Sequence, residues 1–172
     1  AGGATAFYQM FRAEQRAQPG QPISPSLRAL RGGGAPLPPE LYRELKAEMG
    51  IKACHGYGMT EIPMISQGGP SDSDDQLANS AGAPVTAADV RIVGEDGTVT
   101  AEGVDGEVRG KGPMVTKGYT DAALTAAALD DTDYFPPGDP GDLRPAGPGV
   151  TPVRTKDAHT RKDEQTTGHA DQ

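Results

Sequence analysis

The segment His55-Gly56-Tyr57-Gly58-Met59-Thr60-Glu61 gathers residue types suited to holding a nucleotide polyphosphate. Gly56 and Gly58 permit tight turns, so that backbone can come close to a ligand. Thr60 offers a hydroxyl that can donate to a phosphate oxygen. Glu61 is a hard oxygen ligand of the kind Mg²⁺ takes. Tyr57 presents a flat face to a base or ring. A carboxylate beside a triphosphate is repelled on its own: two unit charges ~4 Å apart cost roughly 1 kcal/mol in water and about 4 kcal/mol at an effective dielectric of 20. A divalent cation between them turns repulsion into attraction. The same residues also fit a tight surface turn followed by a capped helix, and residue types alone do not separate the two.

Other segments offer weaker chemistry. Gly33-Gly34-Ala35-Pro36 removes side chains where a ring could slide in, although glycine turns before helices are common. Gly106–Tyr119 reads as two strands around a turn, functional or purely structural. Gly138-Asp139 puts a carboxylate on a turn, where it could accept two hydrogen bonds from a ribose diol or serve only the turn. His55 lies in an apolar run, where a packed core histidine is the default. His159 and His169 lie in a polar stretch, and three scattered histidines with one cysteine have no metal-site spacing.

The elements that must position these residues follow from periodicity. Phe7, Met10 and Phe11 fall at i, i+3 and i+4, predicting an amphipathic helix over 5–16 with that face inward. Residues 17–26 hold three prolines and read as a loop. Leu27–Leu30 predicts a short strand entering the glycine turn at 32–34. Pro38-Pro39-Glu40 opens a second helix, with Leu41, Leu45 and Met49 as its apolar stripe and Gly50 as its C′ residue. Ile51–Gly56 predicts a buried strand. Beyond residue 82, Val90 and Ile92 alternate with Arg91, Asp96-Gly97 marks a hairpin turn, and 107–115 predicts a further strand. The alanine-rich stretch 121–129 predicts a brief helix. From 136 onward proline and glycine dominate, and 155–172 has no apolar residue larger than Ala, predicting a disordered tail.

Composition excludes some functions. With 16 Lys and Arg against 24 Asp and Glu in 172 residues, the formal charge is −8 and there is no basic stripe, so nucleic acid is a poor partner. Polyphosphate binding would then use backbone N–H groups, hydroxyls and a metal ion. Gly (24) and Pro (16) make up close to a quarter of the chain, and aromatics are 5%, predicting a thin, loop-rich core. One cysteine, Cys54, excludes an internal disulfide and fits a reducing compartment, so a cytoplasmic location is expected. No apolar run is long enough to span a membrane. A start at Ala1 without Met suggests a processed chain or one that begins mid-protein.

Taken in order, these segments resemble the superfamily of acyl-CoA synthetases, peptide-synthetase adenylation domains and luciferases. The strongest match is His55–Glu61. Gly33-Gly34-Ala35-Pro36 precedes it at the family's distance. Gly82-Ala83-Pro84-Val85, Val90–Val93, Gly106–Tyr119, Tyr134-Phe135 with Gly138-Asp139, and Arg154-Thr155-Lys156-Asp157 follow in family order. The resemblance runs from about residue 5 to 165. It implies an α/β fold, part of the large domain of an adenylate-forming enzyme. An α/β portion (1–80) would lead into a small β-rich subdomain (81–153), then a hinge remnant and disordered tail (154–172).

The function implied is an AMP-forming carboxylic acid–CoA ligase. It would activate a carboxylate with Mg·ATP to an acyl-adenylate and pass the acyl group to coenzyme A. Carried over by position, Gly34, Ala35 and Pro36 would border adenine. Gly56, Tyr57, Gly58 and Met59 would line the nucleotide and acyl site, with His55 and Gly56 at the acid substrate. Thr60 would contact the α-phosphate, Glu61 would hold Mg²⁺, Asp139 and Arg154 would serve the ribose, and Asp157 would be the hinge. The implied partners are ATP, CoA, a small-molecule carboxylic acid and the remainder of the enzyme. The family's upstream Ser/Thr/Gly-rich phosphate loop and its C-terminal domain with the adenylation Lys are not in the chain, so it is expected to be inactive alone. It also departs from the pattern at Pro136-Pro137 and Pro140, which fix φ and remove N–H donors around Asp139. A peptide-synthetase adenylation piece and a non-catalytic nucleotide-binding remnant are the alternatives.

Overall fold

A computed structural model describes residues 2–128, 133–145 and 153–155, with Arg154 described in its backbone only. Helix α1 (Thr5–Ala17) leads to β1 (Ala29–Gly32), α2 (Pro39–Met49), β2 (Lys52–Tyr57), β3 (Ser66–Gln67), α3 (Asp74–Asn79) and β4 (Ala83–Pro84). Then come β5 (Asp89–Val93), β6 (Gly106–Lys111), α4 (Ala122–Ala128), β7 (Pro140–Leu143) and β8 (Val153–Thr155). Two four-stranded sheets result, ordered β1-β2-β3-β4 and β5-β6-β7-β8.

β1 and β2 are parallel, joined through α2 as a crossover, with Gly32 opposite His55. The remaining pairings are antiparallel. A mixed α/β architecture is therefore present, with the parallel pair first and the antiparallel strands after.

The main core lies between α1, α2, α3 and the first sheet, and holds Tyr8, Leu30, Leu41, Tyr42, Leu45, Ile51, Cys54 and Leu77. α2 forms as its sequence predicts: Glu40 stands in the first turn, and Gly50 closes the helix at φ 67°, its N–H donating to the Lys46 carbonyl at 3.0 Å.

α1 forms, but with a different inner face. Tyr8 is fully buried and Phe11 packs on the core, whereas Phe7 and Met10 are exposed. The inner stripe is Tyr8, Phe11, Arg12 and Gln15. Arg12 reaches Glu44 and, at 3.1 Å, Glu48 on α2, and Gln15 bonds the backbone of the following loop. Two polar residues with partners sit where periodicity assumes apolar ones.

α3 carries no signal in its apolar pattern but has a capping box: Ser73 Oγ accepts from Gln76 N, and Gln76 Oε1 accepts from Ser73 N. In the second sheet, Asp96-Gly97 makes the expected turn, with Gly97 at φ 78° and Val93 bridged to Val99. β6 stops at Lys111 rather than 115, because Pro113 has no N–H to extend the ladder. Small apolar clusters back this half: Ile92, Val108 and Val153, and Ile62, Ile65 and Phe135. The sheets are joined where Ala81 N donates to the Val153 carbonyl and Val153 N to that of Gly82, each at 2.9 Å. Asp157 and most of the stretch expected to be a disordered tail lie outside the described residues.

Candidate functional site

Because β1 and β2 run parallel, the turns that leave them emerge at the same carboxyl edge, where ligands sit in α/β sheets. The turn after β1 is Gly33-Gly34-Ala35-Pro36, and the loop after β2 is Gly58–Ile65. A Cβ on Gly33 would lie 2.6 Å from the Gly56 carbonyl, so the two backbones touch there as only glycine allows. Gly34 takes φ 78°. Gly34, Ala35 and Pro36 are exposed, Gly56 is buried, and Tyr57, Gly58 and Met59 are half-buried.

The loop after β2 folds back on itself. Met59 N donates to the Ile62 carbonyl at 3.1 Å and Ile65 N to that of Tyr57 at 2.8 Å, before β3 begins. A Cβ on Gly58 would lie 2.4 Å from the Pro63 carbonyl, so the turn needs glycine. The capped helix that could have followed Glu61 does not form. Thr60 stands exposed near the loop tip, and Ile62 and Ile65 anchor its base in apolar contacts with Phe135.

Two tyrosine–carboxylate pairs tie distant segments to this loop. Tyr57 Oη donates to Asp139 Oδ2 at 2.8 Å. Burial, and then this bond, hold the Tyr57 phenol well above its ordinary pKa, so it stays a donor. The prolines around Asp139 do not turn it away. Pro140 is the first residue of β7, a position proline tolerates, and the Asp139 carbonyl accepts from Val108 N at 3.0 Å. Tyr119 Oη donates to Glu61 Oε1 at 2.7 Å, and the Glu61 carbonyl accepts from Thr116 N at 2.7 Å. Tyr119 is itself held at the start of α4, its N–H donating to Thr125 Oγ1 at 2.8 Å, while Asp121 caps that helix by accepting from Ala123 N. Hydrogen bonding to Glu61 raises the Tyr119 pKa.

His55 is buried under the Gly33–Pro36 turn. Burial lowers its pKa from 6.5 against a backbone hydrogen bond at Ala35, so the ring is neutral at pH 7. Cys54 is buried with a raised pKa, mainly through burial, and has no thiolate character.

This geometry has relatives. The family profile of AMP-binding enzymes matches residues 2–120. The chain belongs to that family. AMP-binding relatives include the peroxisomal long chain acyl-CoA synthetase 6 of Arabidopsis thaliana, 32% identical over 126 residues, 70% of this chain and 18% of the relative. Among solved structures, VinN superposes with a TM-score of 0.76 at 27% identity, covering 90% of this chain and 38% of VinN. O-succinylbenzoate coenzyme A synthetase from Bacillus subtilis, solved with ATP and a magnesium ion, superposes with a TM-score of 0.74 at 26% identity, covering 92% of this chain and 31% of that one. The chain thus spans between about a fifth and two fifths of the proteins it matches. Within that span the fold is the α/β large-domain fold of adenylate-forming enzymes.

For an AMP-binding enzyme, the structure brings together some of the residues singled out in the sequence. Gly33 meets Gly56, His55 meets Ala35, and Tyr57 meets Asp139. The side chain of Arg154 lies outside the described residues, although its backbone pairs with Asp142 in β8. Among the described residues no three of His, Cys, Asp and Glu cluster as a metal cage. Glu61 nevertheless fits a Mg²⁺ shared with phosphates: Tyr119 takes Oε1, and Oε2 has no hydrogen bond among the described residues. Tyr119 is the site residue to which sequence reasoning gave no role. It stands 58 positions from Glu61, and no local spacing encodes that contact. Among the described residues no helix is long and apolar enough to cross a membrane.

Proposed function

We propose that this chain is the nucleotide-gripping part of an AMP-forming carboxylic acid–CoA ligase. The observation that carries the proposal is the contact of the glycine turn after β1 with Gly56 near the end of β2, with Asp139 held against the neighbouring Tyr57. Gly34, Ala35 and Pro36 border adenine, and Gly56, Tyr57, Gly58 and Met59 line the nucleotide. Asp139 Oδ1 is left to accept from the ribose diol, with Arg154 as its companion. Thr60 donates to the α-phosphate. Glu61 holds Mg²⁺, which neutralises charge between the carboxylate and the phosphates. His55 and Gly56 face the acid substrate, and Asp157 is the hinge. This reading goes with three parts, 1–80, 81–153 and 154–172.

In the reaction proposed for the whole enzyme, a carboxylate oxygen bonds to the α-phosphorus of ATP and pyrophosphate leaves. The thiol of coenzyme A then forms a C–S bond as the acyl C–O bond to AMP breaks, its proton going to solvent. The residues present contribute positioning and charge neutralisation, which carry much of such a barrier. The chain alone is proposed to bind without turning over.

Calorimetry with Mg·ATP tests the site. The wild-type chain binds weakly, and Glu61→Ala weakens binding at least about tenfold, the scale of one lost charge-assisted contact. Equal binding by both proteins removes the metal role from Glu61. Pyrophosphate release over a panel of carboxylic acids tests the rest, and robust turnover by this chain would show that it needs no remainder.

A further inference from the structure

The loop that carries Glu61 is gripped twice by one segment. Thr116 N donates to the Glu61 carbonyl at 2.7 Å, and Tyr119 Oη donates to Glu61 Oε1 at 2.7 Å. The first bond fixes the backbone of this residue and the second fixes the end of its side chain. Hydrogen bonds to a carboxylate are among the stronger ones.

The gripping segment is itself tied down. Gly118 N donates to Thr116 Oγ1 at 3.2 Å. Gly118 takes φ 134°, and a Cβ there would lie 2.5 Å from Thr125 Cγ2. Tyr119 N donates to Thr125 Oγ1 at 2.8 Å, and that hydroxyl donates in turn to the Tyr119 and Asp121 carbonyls at 3.2 and 3.0 Å. The Tyr119 residue is 41% exposed, so the hydrogen bonds at its two ends, rather than burial, set its position.

The two oxygens of Glu61 are therefore unequal. Oε1 is engaged by the phenol, and Oε2 has no hydrogen bond among the described residues. The bond to Glu61 raises the Tyr119 pKa, so the hydroxyl keeps its proton and stays a donor. A cation arriving at the loop meets Oε2 unencumbered and must share Oε1 with the phenol hydrogen. Hard divalent cations respond differently to that restriction. Mg²⁺ demands octahedral geometry at roughly 2.0–2.1 Å, which one carboxylate oxygen satisfies. Ca²⁺, at about 2.3–2.6 Å with about six to eight oxygen ligands, gains from chelation by both oxygens of one carboxylate.

We propose that Tyr119 is a metal-selectivity residue: by occupying Oε1 it leaves Glu61 a one-oxygen ligand, and so favours Mg²⁺ over Ca²⁺ as the cation that accompanies the nucleotide. The inference rests on the reading of Glu61 as the metal ligand. Tyr119 touches the carboxylate and not the metal, so it is a positioning residue.

The test is calorimetry of ATP binding to the 172-residue chain with excess Mg²⁺, with excess Ca²⁺ and with a chelator. The proteins are the wild type, Tyr119→Phe, Glu61→Ala and the double variant. The wild type is expected to bind Mg·ATP more tightly than Ca·ATP. In Tyr119→Phe the ratio of the two affinities falls about fivefold, the scale of one hydrogen bond, while metal-free binding is unchanged. The double variant keeps the ratio of Glu61→Ala, because the hydroxyl acts only through the carboxylate. Tyr119→Leu, which also lacks the hydroxyl, is expected to match Tyr119→Phe in that ratio. A wild type without the preference, an unchanged ratio in either Tyr119 variant, or a shift that persists in the Glu61→Ala background overturns the inference and leaves the role of Glu61 standing. A wild type that binds no Mg·ATP, or a Glu61→Ala that binds both complexes as the wild type does, overturns the reading beneath it.

Discussion

At the scale of single residues, the glycines and tyrosines divide the labour of the site. Gly33 is required by space: its Cβ position lies 2.6 Å from the Gly56 carbonyl, a separation real side chains do not show. Gly33→Ala must therefore push the turn after β1 away from β2. We expect a loss of about 1–3 kcal/mol, the range for overpacking a tight site, read by urea unfolding, together with weaker Mg·ATP binding. Gly34→Ala, in open space at φ 78°, is expected to cost less, about 1 kcal/mol of backbone strain. Equal losses for the two would mean that strain rather than contact governs the turn. The Tyr119–Glu61 bond makes a different prediction. Tyr119→Phe keeps the ring and frees Glu61 Oε1, so it is expected to change nucleotide affinity only when Mg²⁺ is present. A shift of the same size without the metal would make Tyr119 a packing residue.

At the scale of elements, α3 is the clearest case of local sequence chemistry acting where periodicity is silent. Its six residues are too few to show a stripe, yet Ser73 and Gln76 cap it reciprocally. Ser73→Ala is expected to destabilise the chain by about 1 kcal/mol, with Ser73→Asp near neutral, as measured by thermal unfolding. The first helix teaches the opposite lesson. Helicity over α1 was legible, but its inner face was not, because Arg12 and Gln15 occupy inward positions and satisfy themselves against α2 and the loop that follows. Arg12 is a buried-side anchor joining α1 to α2, and its tertiary partners Glu44 and Glu48 explain why a charge can sit there.

At the scale of the whole molecule, stability should fall in acid in two steps. His55 has a folded-state pKa below 6.5, so in the unfolded chain it takes up a proton first. Its contribution is complete above pH 6.5 and is lost as pH falls from there toward the folded value. Glu48 and Asp74, lowered by hydrogen bonds first to Arg16 and to Tyr42, add a further loss only below their ordinary values of 4.5 and 3.8. Urea unfolding between about pH 7 and pH 5 should therefore show a decline that His55→Gln flattens. A decline of equal slope in the variant would assign it to another group.

The sequence by itself determined the elements whose causes are local: α2 between its prolines and Gly50, β2 as an apolar run, the Asp96-Gly97 turn, and the order of motifs that marks the family. It also picked out the glycines and the residues Tyr57, Thr60, Glu61 and Asp139, since residue type and order survive in one dimension. The tertiary structure alone decided which of these meet. Tyr57 finds Asp139 from 82 positions away, Glu61 finds Tyr119 from 58, and Tyr8 of α1 comes to stand edge to face with His55 of β2. Such contacts depend on strand register and helix docking, which arise from the summed burial of many side chains, so no spacing along the chain records them.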